Sequence, residues 1–198
     1  MFQTAPLLPI HGVHHTARPT WKLRETVEFY RDKLGLPLVH AITARGWPVG
    51  HPDFLHFFFD SGNSSTIAFF YYIGTSCPDN LLPTKSHFFT ATHTAWQVRD
   101  LLSLETWRKR LESFGIPVHY QTRHEIIESL YFSDPNGYPI EITYQLRQLT
   151  NLDAADAART IAAAIELEDL HDPTQLASVD DVWRRKGISL EAITRGGA

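Results

Sequence analysis

At 198 residues the chain is long enough for one sizeable core with an appendage. Its 43% hydrophobic and 20% charged residues exclude a disordered or fibrous chain, and a net charge of -4 without a basic run argues against nucleic acid or an anionic membrane as partner. One cysteine, Cys77, forbids an internal disulfide, no apolar run approaches a membrane span, and "MFQTAPLLPI" has neither the basic start nor the apolar core of a signal peptide, so a cytoplasmic location is expected.

In chain order, "IHGVHHTARP" reads as a strand that places His15, Ala17 and Pro19 on one face. Thr20 is positioned to cap a helix, "WKLRETVEFYRDKL", whose Leu23, Val27, Tyr30 and Leu34 recur at helical spacing and which stops at Gly35. The strand "LPLVHAI", a polar loop around "ARGWPVGHP", the aromatic strand "DFLHFFF", the turn "DSGNSS" and the strand "TIAFFYY" complete a βαβββ unit. Beyond the linker "GTSCPDNLLPTKS" the order begins again. "HFFTATHTAWQV" reads as a strand, "SLETWRKRLESF" as a helix stopped by Gly115, and "IPVHY", "HEIIESLYF" and "YPIEITYQ" as strands, the last two joined by the turn "SDPNG".

The two units repeat with a period of about 80 residues. His15-Thr16-Ala17 matches His93-Thr94-Ala95, Gly35 matches Gly115, Pro37 matches Pro117, and the "FFFDSGN" turn matches "YFSDPNG". The expectation is an α+β domain over residues 1–148, made of two paired βαβββ modules (about 8–74 and 87–146) that form a curved mixed sheet around a metal site. Residues 149–198 are expected to be a helical extension: "NLDAADAARTIAAAIELEDL" carries Ala154, Ala158, Ile161 and Ile165 on one face, and Ser178 opens a second short helix.

Paired modules bring the two first strands together and point His15 and His93 into the concave surface. On "YPIEIT", Glu141 alternates with Ile140 and Ile142, and a carboxylate on a core strand is costly unless it is paired or bound to a cation. Two histidines and a carboxylate form a facial triad with open metal positions. By residue type His14 would serve as well as His15; strand parity and the spacing to "FYRDKLG" favour His15.

From about residue 10 to 146 the chain resembles the vicinal oxygen chelate superfamily, which includes glyoxalase I, fosfomycin-resistance transferases, methylmalonyl-CoA epimerase, bleomycin-resistance proteins and extradiol dioxygenases. The segments that carry the resemblance are "HHTARPTWKLRETVEFYRDKLGLPL", "FDSGN…IAFF", "HTAWQV" and "LYFSDPNGYPIEI". It implies metal ligands at His15, His93 and Glu141. Glyoxalase I places a further glutamate on the fourth strand, where this chain has Ala68 or Phe69. A three-ligand site points instead to an extradiol-type dioxygenase that uses Fe(II) and dioxygen on a catechol-like or other dihydroxy aromatic compound.

The same resemblance implies a tyrosine ten residues before the glutamate, met by Tyr131, and a histidine further upstream. His124 is the candidate, seven residues before Tyr131 rather than the implied nine. The readings that compete with catalysis are core packing for Tyr131 and a solvent-facing strand end for His124. His56, Phe58 and Phe69 are candidate walls of an apolar substrate pocket, and Trp47 and His51 lie on a loop placed to cover it. A homodimer is expected, and swapped halves would align identically, so the triad is either within one chain or shared. The rival functions are a non-redox lyase, epimerase or thiol transferase with Mn, Ni, Co or Zn, and a metal-free drug-binding protein.

Overall fold

A computed structural model describes residues 12–46, 49–81, 86–170 and 178–196. The chain divides into two compact units, residues 1–146 and 147–198.

The first unit holds both modules. Strands β1 (His15–Thr20), β2 (Leu38–Ala44), β3 (Phe54–Gly62) and β4 (Ser65–Tyr72) form one sheet in the order β1-β4-β3-β2. Strands β5 (Thr94–Val98), β6 (Tyr120–His124), β7 (Ile127–Ser133) and β8 (Pro139–Gln145) form a second in the order β5-β8-β7-β6. In each sheet the first strand runs parallel to the fourth and the others are antiparallel, so the sequence repeat is a structural repeat. Helix α1 (Leu23–Val27) continues as a π-helical stretch (Glu28–Lys33), and α3 (Leu101–Ser113) is its counterpart. Both helices stop at a glycine in the left-handed region, Gly35 at φ +77° and Gly115 at φ +65°, where a side chain would be strained.

Period-two alternation gives each sheet a core face and an open face. Ile67, Phe69, Phe57 and Phe59 of the first sheet and Leu130, Phe132, Ile140 and Ile142 of the second belong to one buried cluster. The first helix lies between these inner faces: the Tyr30 ring is 4.8 Å from Phe69 and 6.4 Å from Trp96, and Phe29 is 6.4 Å from Phe132. The "SDPNG" turn also ties the modules together. Buried Asp134 accepts hydrogen bonds from the amides of Asn136 and Tyr138 and from Tyr30 Oη at 3.1 Å. Asn136 donates to Thr26 Oγ1 and accepts from Thr20 Oγ1 at 2.8 Å, while Tyr138 Oη donates to the Pro19 carbonyl.

Four details depart from expectation. Thr20 does not cap the first helix with its side chain; its hydroxyl accepts from Lys22 N at 3.1 Å and is drawn into the buried network with Asn136. Residues 87–91 form a short helix, α2 (His87–Ala91), rather than the start of a strand, because Ser86 Oγ caps it by accepting from Phe88 N at 3.2 Å. β1 begins at His15. In the second unit, α4 (Asn151–Leu170) and α5 (Val179–Gly196) are both helical, and Ser178 Oγ accepts from Asp180 N. The face of α4 carrying Ile161 and Ile165 is exposed, however, while Ala163 is buried. Charge pairs join the two helices: Lys186 Nζ lies 2.7 Å from Asp156, and Arg185 Nε 2.8 Å from Glu166. Among the described residues no helix is long and apolar enough to cross a membrane.

Candidate metal centre

Glu141 lies mid-way along β8 on the open face of the second sheet, yet it is only 3% exposed. His93 precedes β5, the parallel neighbour of β8, and its Nε2 is 2.8 Å from Glu141 Oε2. Its other nitrogen, Nδ1, is 3.3 Å from the Thr90 carbonyl. A histidine that donates from Nδ1 to a carbonyl keeps its Nε2 lone pair for a metal. At this distance a proton shared between Nε2 and Oε2 joins the pair as a hydrogen bond; with that proton lost, an imidazole nitrogen and a carboxylate oxygen are donor types that a divalent metal accepts. Ser129 Oγ donates to the other carboxylate oxygen, Oε1, at 2.5 Å and fixes its orientation.

Tyr131, on β7 opposite Glu141, has its ring 5.8 Å from and perpendicular to His93 and stacks on Tyr120 at 4.5 Å. Burial first, then the Glu141 charge, raises its phenol above the usual tyrosine value, so it remains a protonated donor at neutral pH. His93, Tyr131 and His124 line one open cleft of about 440 Å³, together with Tyr120, Thr122 and His87. Thr122, nine residues before Tyr131, and His124 share a face of the strand, two residues (about 7 Å) apart.

His15 lies elsewhere. Its Nδ1 is 2.8 Å from His14 Nδ1, and its ring is 5.9 Å from Phe58 and 6.4 Å from His56, on the open face of the first sheet. Among the described residues no group of three His, Cys, Asp or Glu side chains is assembled to hold a metal. His93 and Glu141 stand together on one sheet, and His15 stands apart from them on the other. Beside His15 in register is Thr66, whose buried Oγ1 has no hydrogen-bond partner. Ala68, not Phe69, shares the His15 face, so no carboxylate stands at the fourth position.

Of the pocket candidates, His56 is stacked on Phe70 at 3.7 Å with Nδ1 3.1 Å from the Phe69 carbonyl, and desolvation lowers its pKa. Phe58 faces the same way, 4.2 Å from His56. Phe69 does not line the pocket: β4 alternation turns it into the core against Phe57 and Tyr30, and Phe70 takes the wall position. His51 packs on Phe54 and Tyr72, and Trp47 lies outside the described residues. Sequence reasoning missed Ser129 and His87. Ser129 was legible from sharing the parity of Tyr131. His87 was hidden because its segment resembled a strand.

Two βαβββ modules, each a four-stranded sheet with one core face and one open face, make a fold of the glyoxalase and dioxygenase type. A family model described as the Glyoxalase/Bleomycin resistance protein/Dioxygenase superfamily matches residues 12–142, and the chain belongs to that family. No curated protein sequence matches it. Among solved structures it is similar to a glyoxylase/bleomycin resistance protein/dioxygenase domain from Frankia sp. EAN1pec, with 18% identity, a TM-score of 0.52, and 72% of this chain and 96% of that one covered. A glyoxalase/dioxygenase from Nostoc punctiforme gives 22% identity, a TM-score of 0.50 and coverages of 72% and 98%. A lactoylglutathione lyase from Agrobacterium tumefaciens gives 24%, 0.49, 69% and 95%. These likenesses concern the fold.

Proposed function

We propose that the protein is an Fe(II)-dependent extradiol-type dioxygenase acting on a catechol-like or other dihydroxy aromatic compound, and that it works as a homodimer. The observation that carries the reading is a cleft lined by His93, Tyr131 and His124, with buried Glu141 in contact with His93, in a fold with no carboxylate at the fourth position. His15 completes the ligand set from a second copy, whose first-sheet face covers this second-sheet face. His15 and His93 are exposed, and a twofold pairing of this kind builds two equal sites.

His15, His93 and Glu141 would hold the metal, which would supply Lewis-acid and redox chemistry toward a vicinal diol and dioxygen. The residues of the chain do the rest. Ser129 holds the carboxylate in place, and the neutral Tyr131 phenol hydrogen-bonds a substrate oxygen. His124 accepts the proton of the substrate hydroxyl and returns it to the opened product. Phe58, His56 and Phe70 form an aromatic floor for the ring.

The test is the metal content of protein purified without air or added metal, followed by oxygen uptake with a panel of catechols and hydroquinones. Stoichiometric iron and uptake with a dihydroxy aromatic are expected. Stoichiometric Mn, Ni, Co or Zn with no uptake would move the protein to non-redox chemistry.

A further inference from the structure

The α4–α5 hairpin has almost no core of its own. Among the described residues of the second unit, Ala163 and Val182 are the only buried apolar side chains, and the Lys186–Asp156 and Arg185–Glu166 pairs join the two helices. These contacts set α5 against the side of α4 that carries residues 156, 163 and 166. The opposite side carries Ala154, Ala158, Ile161 and Ile165, with Ile161 59% and Ile165 51% exposed. Two isoleucines left in solvent by a unit that buries so little make an apolar face without cover inside that unit.

The spacing of this face points to what covers it. Steps of four, three and four residues put Ala158 and Ile165 at one seam position of a heptad and Ala154 and Ile161 at the other. Reversing one helix against its copy opposes the two kinds of position. A single twofold axis crossing between residues 159 and 160 then sets Ile161 against Ala158 of a second copy and Ile165 against Ala154, large against small at every step. A parallel pair would set isoleucine on isoleucine and leave the alanine half unfilled.

The flanks of the seam agree. Ala155, Ala157, Ala162 and Ala164 border it, so no long side chain holds the two backbones apart. The same axis brings Glu168, near the C-terminal end of one α4, beside Asn151 at the N-terminal end of the other, where the helix dipole favours an acid. A parallel pair would crowd Glu168 against its own copy.

We infer that α4 is a self-association helix, which pairs antiparallel with α4 of a second copy of this chain about a twofold axis between residues 159 and 160. The pairing rests on the second unit alone and is independent of the metal reading proposed above.

The experiment cross-links the full-length chain after chelator treatment, in a Cys77→Ser background that removes the sole cysteine. One variant adds Ala154→Cys and a second adds Ile165→Cys. With a short bismaleimide neither variant alone should give a covalent dimer, because its two thiols lie about 16 Å apart along the helices. An equimolar mixture that exchanges subunits, as shown by native mass spectrometry, should give covalent heterodimers joined between positions 154 and 165. Ile161→Glu leaves the buried contacts alone because Ile161 is exposed. Added to both variants, it puts a carboxylate into each half of the seam and should cut the yield of that link at least tenfold.

A wild-type chain that sediments as a monomer, or no link in the exchanged mixture, would overturn the inference and give the face to the first unit or to a different protein. Links formed as readily in each variant alone would overturn the antiparallel pairing. A yield unchanged by Ile161→Glu would reduce the link to random collision and overturn it as well.

Discussion

Glu141 and His93 meet at 2.8 Å across the β5–β8 pair, and Ser129 donates to the remaining carboxylate oxygen at 2.5 Å. Ser129 touches no ligand position itself, so its role is to orient the carboxylate. Ser129→Ala should weaken metal affinity by about 10- to 100-fold, the usual cost of losing such a support, while the melting temperature changes little. Metal titration of chelator-treated protein measures it; an unchanged affinity would reduce the hydrogen bond to packing.

Tyr131 faces His93, and its phenol is held protonated by burial and by Glu141. Tyr131→Phe keeps the ring stacked on Tyr120 and removes only the hydroxyl. Bound metal should stay stoichiometric while kcat falls by a factor on the order of 10² to 10⁴, as for a lost proton-handling group. His124→Gln should behave likewise, and equal turnover in either variant would return that residue to a structural role.

Asp134 is buried under the "SDPNG" turn, where four hydrogen-bond donors point at it, yet burial still raises its pKa above the usual carboxylate value. The folded state then holds the Asp134 proton more tightly than the unfolded chain. The stability this contributes is complete below the ordinary carboxylate pKa of about 3.9 and is lost as pH rises through the higher folded value. Denaturant unfolding across that window should show wild-type stability falling relative to Asp134→Asn, and parallel curves would contradict the assignment. Asp134→Ala orphans two buried amides and the Tyr30 hydroxyl and should cost about 3 kcal/mol at neutral pH.

Much of the fold was legible because the repeat repeats its punctuation. Gly35 and Gly115 end equivalent helices because both adopt positive φ, and the two hairpin turns fall at equivalent places. The placement of Glu141 was legible from parity, as a carboxylate flanked by two buried isoleucines. Local rules failed where a non-local or single-residue effect decided. His87-Phe88-Phe89 has strand-like composition, but the Ser86 cap turns it into a helix. Thr20 reads as a helix cap until Asn136, 116 residues away, captures its hydroxyl. The separation of His15 from His93 was invisible for a different reason: equivalent positions in a duplicated sequence carry no information about which copy of the chain faces which.

That separation makes the shared site the central claim, and subunit exchange tests it most directly. His15→Ala and Glu141→Ala should each purify without stoichiometric metal. In an equimolar mixture allowed to exchange subunits, each mixed dimer has one site with both substitutions and one intact site, so metal content and turnover should recover to about a quarter of wild type. A mixture that exchanges subunits, as shown by native mass spectrometry, and still binds no metal would contradict the shared site.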